Sequence, residues 1–443
     1  MIFYNKKIYI FIFLFALSGC ALMFKSKVKD FYRLFEQGAY FQAGQVAEKH
    51  AKKSLYWSLQ SGNSFFNAQA YDKSILFYDH AEYYMQVKDT LSFTEKLIEW
   101  NKMIFLNNYA NEYDYTNYDA IMVNVHKGWS YWYQDRLDEA RVEFSRAEER
   151  QKRSVEYFSS EILSQSVDDS NLQKLLEKNL QKNEKLQMEL QKQKHNPWQK
   201  YDGYVNTFSS FSQGLFFLLT GEAQSDIEKS IFQFKRLLEL YPSDTLKKAL
   251  SLAEKKVTAR QPVVGTVWFI IEDGQSVEKK ELDITLPFLI DDDWKILSLV
   301  LPQLQKTTSS NNHILIDGQR PDLLMSVDNF IINEFNKGNE YRFFTALTQS
   351  VVKLLIQTRA DDISTALYTI FSQHADVRTI YGYPQSYLIK MVSIEDKKDI
   401  KIQLNGMEVD VPLSIEDKKS NYIVDIKLLN NASSYIMKIF MVE

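Results

Sequence analysis

Cysteine is almost absent from this chain: Cys20 is the only one in 443 residues. That excludes a disulfide framework and leaves no thiolate set for a structural zinc. Proline is missing until Pro197, and six of the eight prolines follow residue 261. Glycine is scarce, 14 in all, with only Gly38, Gly44, Gly62 and Gly128 between Lys25 and Asn196. Phosphate cradles and nucleophile elbows lean on glycine, and no G-x-x-x-x-G-K-S/T, G-x-G-x-x-G or G-x-S-x-G occurs. The six histidines (50, 80, 126, 195, 313 and 374) are scattered, with no H-E-x-x-H. Asp291-Asp292-Asp293 lacks the glycine and distal glutamate of a calcium loop and reads as a solvated loop. Asp376 with Arg378 reads as a structural ion pair. The expectation is no catalytic residue, no metal, no cofactor and no enzyme activity. Positive charge is not in excess either: the net charge is −4 with no basic stripe, which argues against a nucleic-acid partner.

Long apolar runs are lacking too. Ile8 to Leu17 is an uninterrupted stretch of ten, preceded by Lys6 and Lys7 and followed by Ser18-Gly19-Cys20. Ten residues fall short of the roughly twenty that span a bilayer and fit the h-region of a secretory signal. Leu17-Ser18-Gly19-Cys20 resembles the lipobox of bacterial lipoproteins. That resemblance implies cleavage after residue 19 and acylation of Cys20 by chains of the palmitate class. The divisions read from the sequence are a signal peptide at 1–19, an anchor and tether at 20–30, a helical domain at 31–260 and an α+β domain at 261–443. Cleavage would shift the net charge from −4 to −6. Each buried lipid methylene contributes about 0.8 kcal/mol, so multiple acyl chains make the anchor effectively permanent. Ala21, where an aspartate would signal inner-membrane retention in such families, favours the outer membrane and a periplasm-facing protein.

Free of proline as far as Asn196, and rich in Lys, Glu, Gln, Leu and aromatics, residues 31–260 predict an α-solenoid. Weak internal repetition supports this. Gly128, Tyr131, Ala140, Phe144 and Ala147 keep the spacing of a tetratricopeptide unit. Gly62, Phe65, Tyr71, Ser74, Tyr78 and Ala81 keep it again. Gly214, Phe217, Phe234 and Pro242 give a third copy with a four-residue insertion after Gly221. In that register Leu59, Asn63, Phe66 and Asn67, and then Val125, Trp129, Trp132 and Tyr133, face a concave groove. Asn63, Phe66, Asn67, Trp129, Trp132 and Tyr133 are therefore the candidate partner contacts, trp and tyr rings being common interface anchors. Packing of the same rings between helices is the competing reading. Residues 129–196 contain neither glycine nor proline and predict a long helical arm at about 150–196, with Leu172, Leu176, Leu180, Leu186 and Leu190. The step from Leu180 to Leu186 breaks its heptad, so it either projects or packs.

After Pro262 the pattern turns to β-branched residues and turn dipeptides. Val263–Ile271 and Lys279–Leu286 flank Glu272-Asp273-Gly274 and predict a hairpin. A helical stretch from Asp322 to Gln373, broken near Lys337-Gly338, comes next. Short strands follow at Ser386–Val392, Asp399–Leu404 and Met407–Val411, the last two joined by Asn405-Gly406. A final hairpin, Tyr422–Leu429 with Ser434–Val442, turns at Asn430-Asn431. The whole reads as an α+β module of antiparallel hairpins with inserted helices.

The order of anchor cysteine, repeat-like helices, two-helix arm, Asn196-Pro197 re-entry and Gly214, then the Val267–Pro287 element and Ala375-Asp376-Val377-Arg378, resembles a family of uncharacterised tetratricopeptide-containing lipoproteins of Gram-negative bacteria. Ile380 and Tyr383-Pro384 stand where that family continues into a tryptophan and a Leu-Pro. The resemblance implies architecture and location, and no catalytic residues. The functional expectation is an envelope scaffold or assembly factor, held to the membrane by Cys20 and binding envelope proteins in its groove. The alternative is a non-catalytic module for peptidoglycan or polysaccharide, with exposed aromatics stacked on sugar rings.

Overall fold

The computed structural model describes residues 24, 27–105, 109, 111–157, 170–194, 205–307, 313–360, 374–394, 400–405, 407–410, 419–428 and 435–442. The signal and Cys20, Asn196-Pro197 and Asn430-Asn431 lie outside the described residues. A helical region comes first and a smaller sheet region follows. After a helical segment at 27–36 come α1 (Tyr40–Ala51), α2 (Leu55–Asn67), α3 (Tyr71–Asp89), α4 (Phe93–Phe105), α5 (Asn117–Trp132) and α6 (Leu137–Tyr157). Then come α7 (Ser170–Lys182), α8 (Glu184–Lys194), α9 (Thr207–Thr220), α10 (Gln224–Leu240) and α11 (Asp244–Thr258).

Neighbouring helices in this region pack as pairs: α1 with α2, α2 with α3, α5 with α6, α9 with α10. The pairs are close because glycine sits where they cross. A Cβ on Gly62 would lie 2.7 Å from the Tyr78 ring, and one on Gly128 would lie 2.7 Å from the Phe144 ring. Gly214 meets Phe234 in the same way, more loosely, at 3.1 Å. The hydroxyls of Ser74 and Ser230 donate to the carbonyls of Gly62 (2.9 Å) and Gly214 (2.8 Å), repeating one detail in two pairs. Local signals set the helix starts. Thr116 and Asp119 form a reciprocal capping box on α5, while Asn206 and Ser243 cap α9 and α11.

Three helices, α2, α5 and α9, are buried along almost their whole length, on every side. A helix of this kind belongs to an inner layer. One side is covered by α1, α3, α6 and α10. The other is covered by a five-stranded sheet ordered β10-β9-β1-β6-β5. Its strands are β1 (Thr266–Asp273), β5 (Asp322–Ser326), β6 (Ser386–Ser393), β9 (Asn421–Leu428) and β10 (Tyr435–Val442). Trp268, Ile270, Tyr387, Ile389 and Ile423 join the helical core. Val267, Phe269, Ile271, Val424 and Ile426 point the other way, onto a second sheet ordered β4 (Ile314–Ile316), β7 (Lys401–Leu404) and β8 (Met407–Asp410). β1 is central and covered on both faces, which explains why it reads as a continuous apolar run.

Three sequence expectations change here. β1 does not pair with the next strand: it lies antiparallel to β6 and parallel to β9, so the sheet is mixed and not built of antiparallel hairpins alone. The chain turns at Gly274 (φ +68°) and leaves for another sheet. There β2 (Glu278–Ile290) and β3 (Asp293–Gln305) form a long hairpin. Its two-residue turn is Asp291-Asp292, both with positive φ (49° and 63°), so the acidic loop is a primed hairpin turn. Residues 322–326 are the strand β5 and not the start of a helix. The helices begin after them as α12 (Val327–Lys337) and α13 (Asn339–Ala360), with the expected break at Gly338.

The helical arm, over its described residues, packs. Leu176 and Leu186 bury against Leu286, Phe288, Phe343 and Leu347 in a separate apolar cluster. Asn179 pairs with the Leu289 backbone as a strand would, donating to its carbonyl at 3.0 Å and accepting from its N–H at 2.7 Å. The heptad break between Leu180 and Leu186 is a helix break, where the Asn183 side chain accepts from the Leu186 N–H and so starts α8.

Replacing Gly128 by Ala tests the close crossing. An exposed helix would gain about 1 kcal/mol from this change. Here the added methyl must displace the Phe144 ring, and urea unfolding should show a net loss of about 1–3 kcal/mol.

Candidate binding site

The six residues expected to face a partner are already occupied by this chain. Asn63, Phe66, Asn67, Trp129 and Trp132 are between 1% and 7% exposed, and Tyr133 is half-buried. Asn63 Nδ2 donates to the Tyr381 carbonyl at 2.6 Å. Beside it, Gln60 donates to the Thr379 carbonyl (2.9 Å) and accepts from the Tyr381 N–H (3.1 Å). An extended segment of the chain thus lies on α2, held by two carboxamides in the way a bound peptide would be. Asn67 donates back to Asn63. Trp129 donates to Ser212 at 2.9 Å, and Trp132 meets Phe216 and Phe440 edge-on. The Tyr133 hydroxyl donates to Asp425. The groove reading is corrected accordingly: the inner helices present too much apolar area to stay uncovered, and the sheet covers it.

Most of the residues expected to pack the repeats lie between paired helices. Ala81, Ala140 and Ala147 are buried between helices, and Tyr78 and Phe144 fill the glycine gaps. Tyr131 is half-buried, with the Arg136 guanidinium 4.5 Å above its ring.

Two polar clamps fasten the layers. Glu334, from α12, accepts from the Asn117 N–H (2.5 Å) and the Tyr118 N–H (3.3 Å), capping α5 from outside its own region. Burial pushes its carboxyl up to about 7, against the pull of those two donors. Arg378 pairs with Asp376 (2.7 Å) and donates to the carbonyls of Asn111 (3.1 Å) and Glu112 (3.4 Å). The ion pair is therefore a tie between the sheet region and the α4–α5 connection.

Between α2, α5 and the sheet lies a narrow slot with a cavity volume of about 20 Å³, room for about one water molecule. Its walls include Tyr40, Phe66, Trp129, Tyr133 and Phe208. The strands contribute its charges by register: Glu272 lies opposite Lys427 across β1 and β9, and Asp425 opposite Lys438 across β9 and β10. Lys427 pairs with Glu272 at 2.7 Å and donates to the Gly382 carbonyl at 3.0 Å. Lys438 donates to the Phe66 carbonyl at 3.4 Å, with its ammonium 5.1 Å over that ring.

His126 stacks on Phe66 at 4.4 Å and shares a 2.7 Å hydrogen bond with the Tyr78 hydroxyl through Nδ1. Burial, with Lys427 and Lys438 nearby, lowers it to about 3, so it is a neutral ring. Burial pushes Asp425 up to about 6 even though Lys438 and the Tyr133 hydroxyl favour its charged form. The arrangement offers hydrogen-bond donors and acceptors with balanced charge between aromatic faces, which suits recognition.

His126, Glu272, Asp425, Lys427 and Lys438 were not singled out from the sequence as site residues. A usable signal was present: Asp425, Lys427 and Lys438 interrupt strands that are otherwise apolar on both faces. Among the described residues no three His, Cys, Asp or Glu side chains gather into a metal site, and no helix is long and apolar enough to cross a membrane.

Two substitutions test this assignment. Trp132→Ala should cost about 3–5 kcal/mol in urea unfolding, because the ring is core and its loss opens a cavity. Asp425→Asn addresses the pocket's charge. The folded chain keeps the Asp425 proton up to about pH 6, whereas the unfolded chain releases it near 4. Folded protein therefore binds more protons between those values, and stability from this group is complete below about pH 4 and lost by about pH 6. Asparagine should remove that fall and raise stability at pH 7 by about 1–3 kcal/mol, read from denaturant midpoints across pH 4 to 7.

No protein-family model, curated protein or solved structure matches this chain.

Proposed function

We propose that this protein is a lipid-anchored, non-catalytic scaffold of the bacterial envelope, facing the periplasm from the outer membrane, that recruits a partner protein through the free edge of its five-stranded sheet. Leu17-Ser18-Gly19-Cys20 and Ala21 support the anchor and its membrane. The recurring glycine–aromatic crossings at Gly62, Gly128 and Gly214 support a tetratricopeptide-like ancestry for the helices. In this reading the repeats clamp the chain's own sheet, and the partner binds elsewhere.

The observation that carries the reading is β10. Among the described residues it pairs on one side only, with β9, and lies at the end of the sheet. Its eight residues contain no proline or glycine, and Tyr435, Ile439 and Met441 are 38–44% exposed. The opposite edge, β5, is blunted: it has five residues and a register shift between Leu323 and Met325. A long strand edge of this kind takes an extended segment of a partner as an additional strand, with main-chain hydrogen bonds giving affinity and alternate side chains giving specificity. Membrane tethering raises the effective concentration of the pair.

The tagged full-length lipoprotein, purified from its native envelope in mild detergent, should carry one stoichiometric protein by mass spectrometry. Ile439→Lys with Met441→Lys should lose that partner with an unchanged far-UV spectrum. Recovery of the protein alone, or of a partner indifferent to the double change, would overturn the reading.

A further inference from the structure

Phe24, the first described residue, is seated among three aromatic rings. Its own ring lies 5.3 Å from Tyr56, 5.8 Å from Trp57 and 5.2 Å from Tyr109. Two residues past Tyr109, the Asn111 side chain donates to the Glu99 carbonyl, in the middle of α4, at 2.9 Å. Ser54, just before α2, donates to the Glu112 carboxylate at 3.3 Å, and Arg378 holds the Asn111 carbonyl at 3.1 Å. The entry of the chain, the start of α2 and the middle of α4 therefore meet at one end of the helical region.

That end carries apolar side chains that nothing in the core requires. Leu97 and Ile98, beside Glu99, are 46% and 51% exposed on a helix that packs against α13. An apolar pair of this kind marks a contact surface for a protein or a membrane. Lysines stand beside it. Lys49, Lys52 and Lys53, at the end of α1, are exposed. Burial and the ammoniums of Lys27 and Lys49 lower His50, which places Lys27 beside them. The His50 ring is 5.4 Å from Trp57 and so adjoins the rings around Phe24. Acids are present as well, but two of them have local work: Glu95 accepts from the Ser92 N–H at the start of α4, and Asp114 pairs with Lys88 at 2.8 Å.

The length of the tether chooses between a protein and a membrane. Four residues separate Cys20 from Phe24, a reach of at most about 14 Å. An acylated Cys20 lies at the bilayer surface, so the bilayer stands within that distance of Phe24 and faces this end of the molecule. Among the described residues no helix is long and apolar enough to cross it. An amphipathic helix in that position lies in the interface, its apolar side chains among the acyl chains and its lysines among anionic headgroups.

We propose that α4 rests on the bilayer that holds Cys20, with Leu97 and Ile98 entering the lipid interface and Lys49, Lys52 and Lys53 against anionic headgroups. The inference rests on the lipid-anchor reading and deepens it: the acyl chains hold the protein to the membrane, and α4 sets its orientation there.

The test uses full-length Ile98→Cys protein, in which acylation occupies the Cys20 thiol and leaves one site for an environment-sensitive fluorophore. The labelled protein is reconstituted into phosphatidylethanolamine–phosphatidylglycerol vesicles. Lipids carrying a nitroxide high on the acyl chain should quench the label, and iodide in the water should not. Adding Leu97→Glu should abolish most of the lipid quenching with an unchanged far-UV spectrum. An acylated protein that floats with the vesicles while its label stays open to iodide would overturn the proposal and leave the anchor standing. Shielding in native membranes but not in vesicles would assign the surface to a protein, and would overturn it too. A chain that carries no acyl group by mass spectrometry and does not float would overturn the anchor reading, and the proposal with it.

Discussion

Everything in this molecule depends on covering an inner layer of helices from both sides. α2 and α9 contain no charged residue, and every residue of α2 is buried. Such helices cannot end a structure: their outer neighbours bury one side, and the other demands an apolar partner of similar extent. The sheet face built from Trp268, Ile270, Tyr387, Ile389 and Ile423 supplies it. Phe208 stacks on Tyr387 at 3.8 Å, and the Thr207 hydroxyl donates to the Leu324 carbonyl at 2.7 Å. Helical and sheet regions therefore share one core, and neither buries its apolar face without the other.

This interlock explains which parts of the structure were legible in the sequence. Helix crossings were readable because they depend on local spacing. Gly62 to Tyr78 and Gly128 to Phe144 are both sixteen residues apart, and Gly214 to Phe234 is four longer, matching the insertion after Gly221. The Asn405 turn between β7 and β8, the helix break at Gly338 and the pairing of β9 with β10 were readable for the same local reason. The partner of β1 was not. An apolar run flanked by Asp-Gly fits a hairpin, but β1 pairs with strands more than a hundred residues away. Nothing local encodes that choice, which is made by the need to bury both faces.

The groove residues were misassigned for a related reason. Register puts Asn63, Trp129 and Tyr133 on one side of the helices, but it cannot say what fills that side. Composition could have. Residues 55–67 and 207–220 lack the charged positions with which a solvent-lined groove keeps its surface wet, and Gln60 and Asn63 are amides suited to holding an extended backbone. The missed pocket residues show the same limit from the opposite side. Asp425, Lys427 and Lys438 look like ordinary strand polar positions until the alternation is followed, which assigns them to the face that carries Ile423 and Phe440.

Placing those charges inside has a structural logic beyond any ligand. Buried pairs seldom add net stability over apolar replacements, because desolvation offsets their attraction. They do make alternatives expensive. A one-residue slip of β9 or β10 would turn Asp425, Lys427 and Lys438 toward the all-apolar cluster of Val267, Phe269, Val424 and Ile402 on the far face. Three charges would then be buried without partners, a cost of several kcal/mol each. An inward lysine on an edge strand also discourages indiscriminate pairing, since a strand added out of register would meet it with an apolar side chain. Lys438 thus serves two constraints at once: it fixes how β10 sits on the helices, and it narrows which strand could be added beside it.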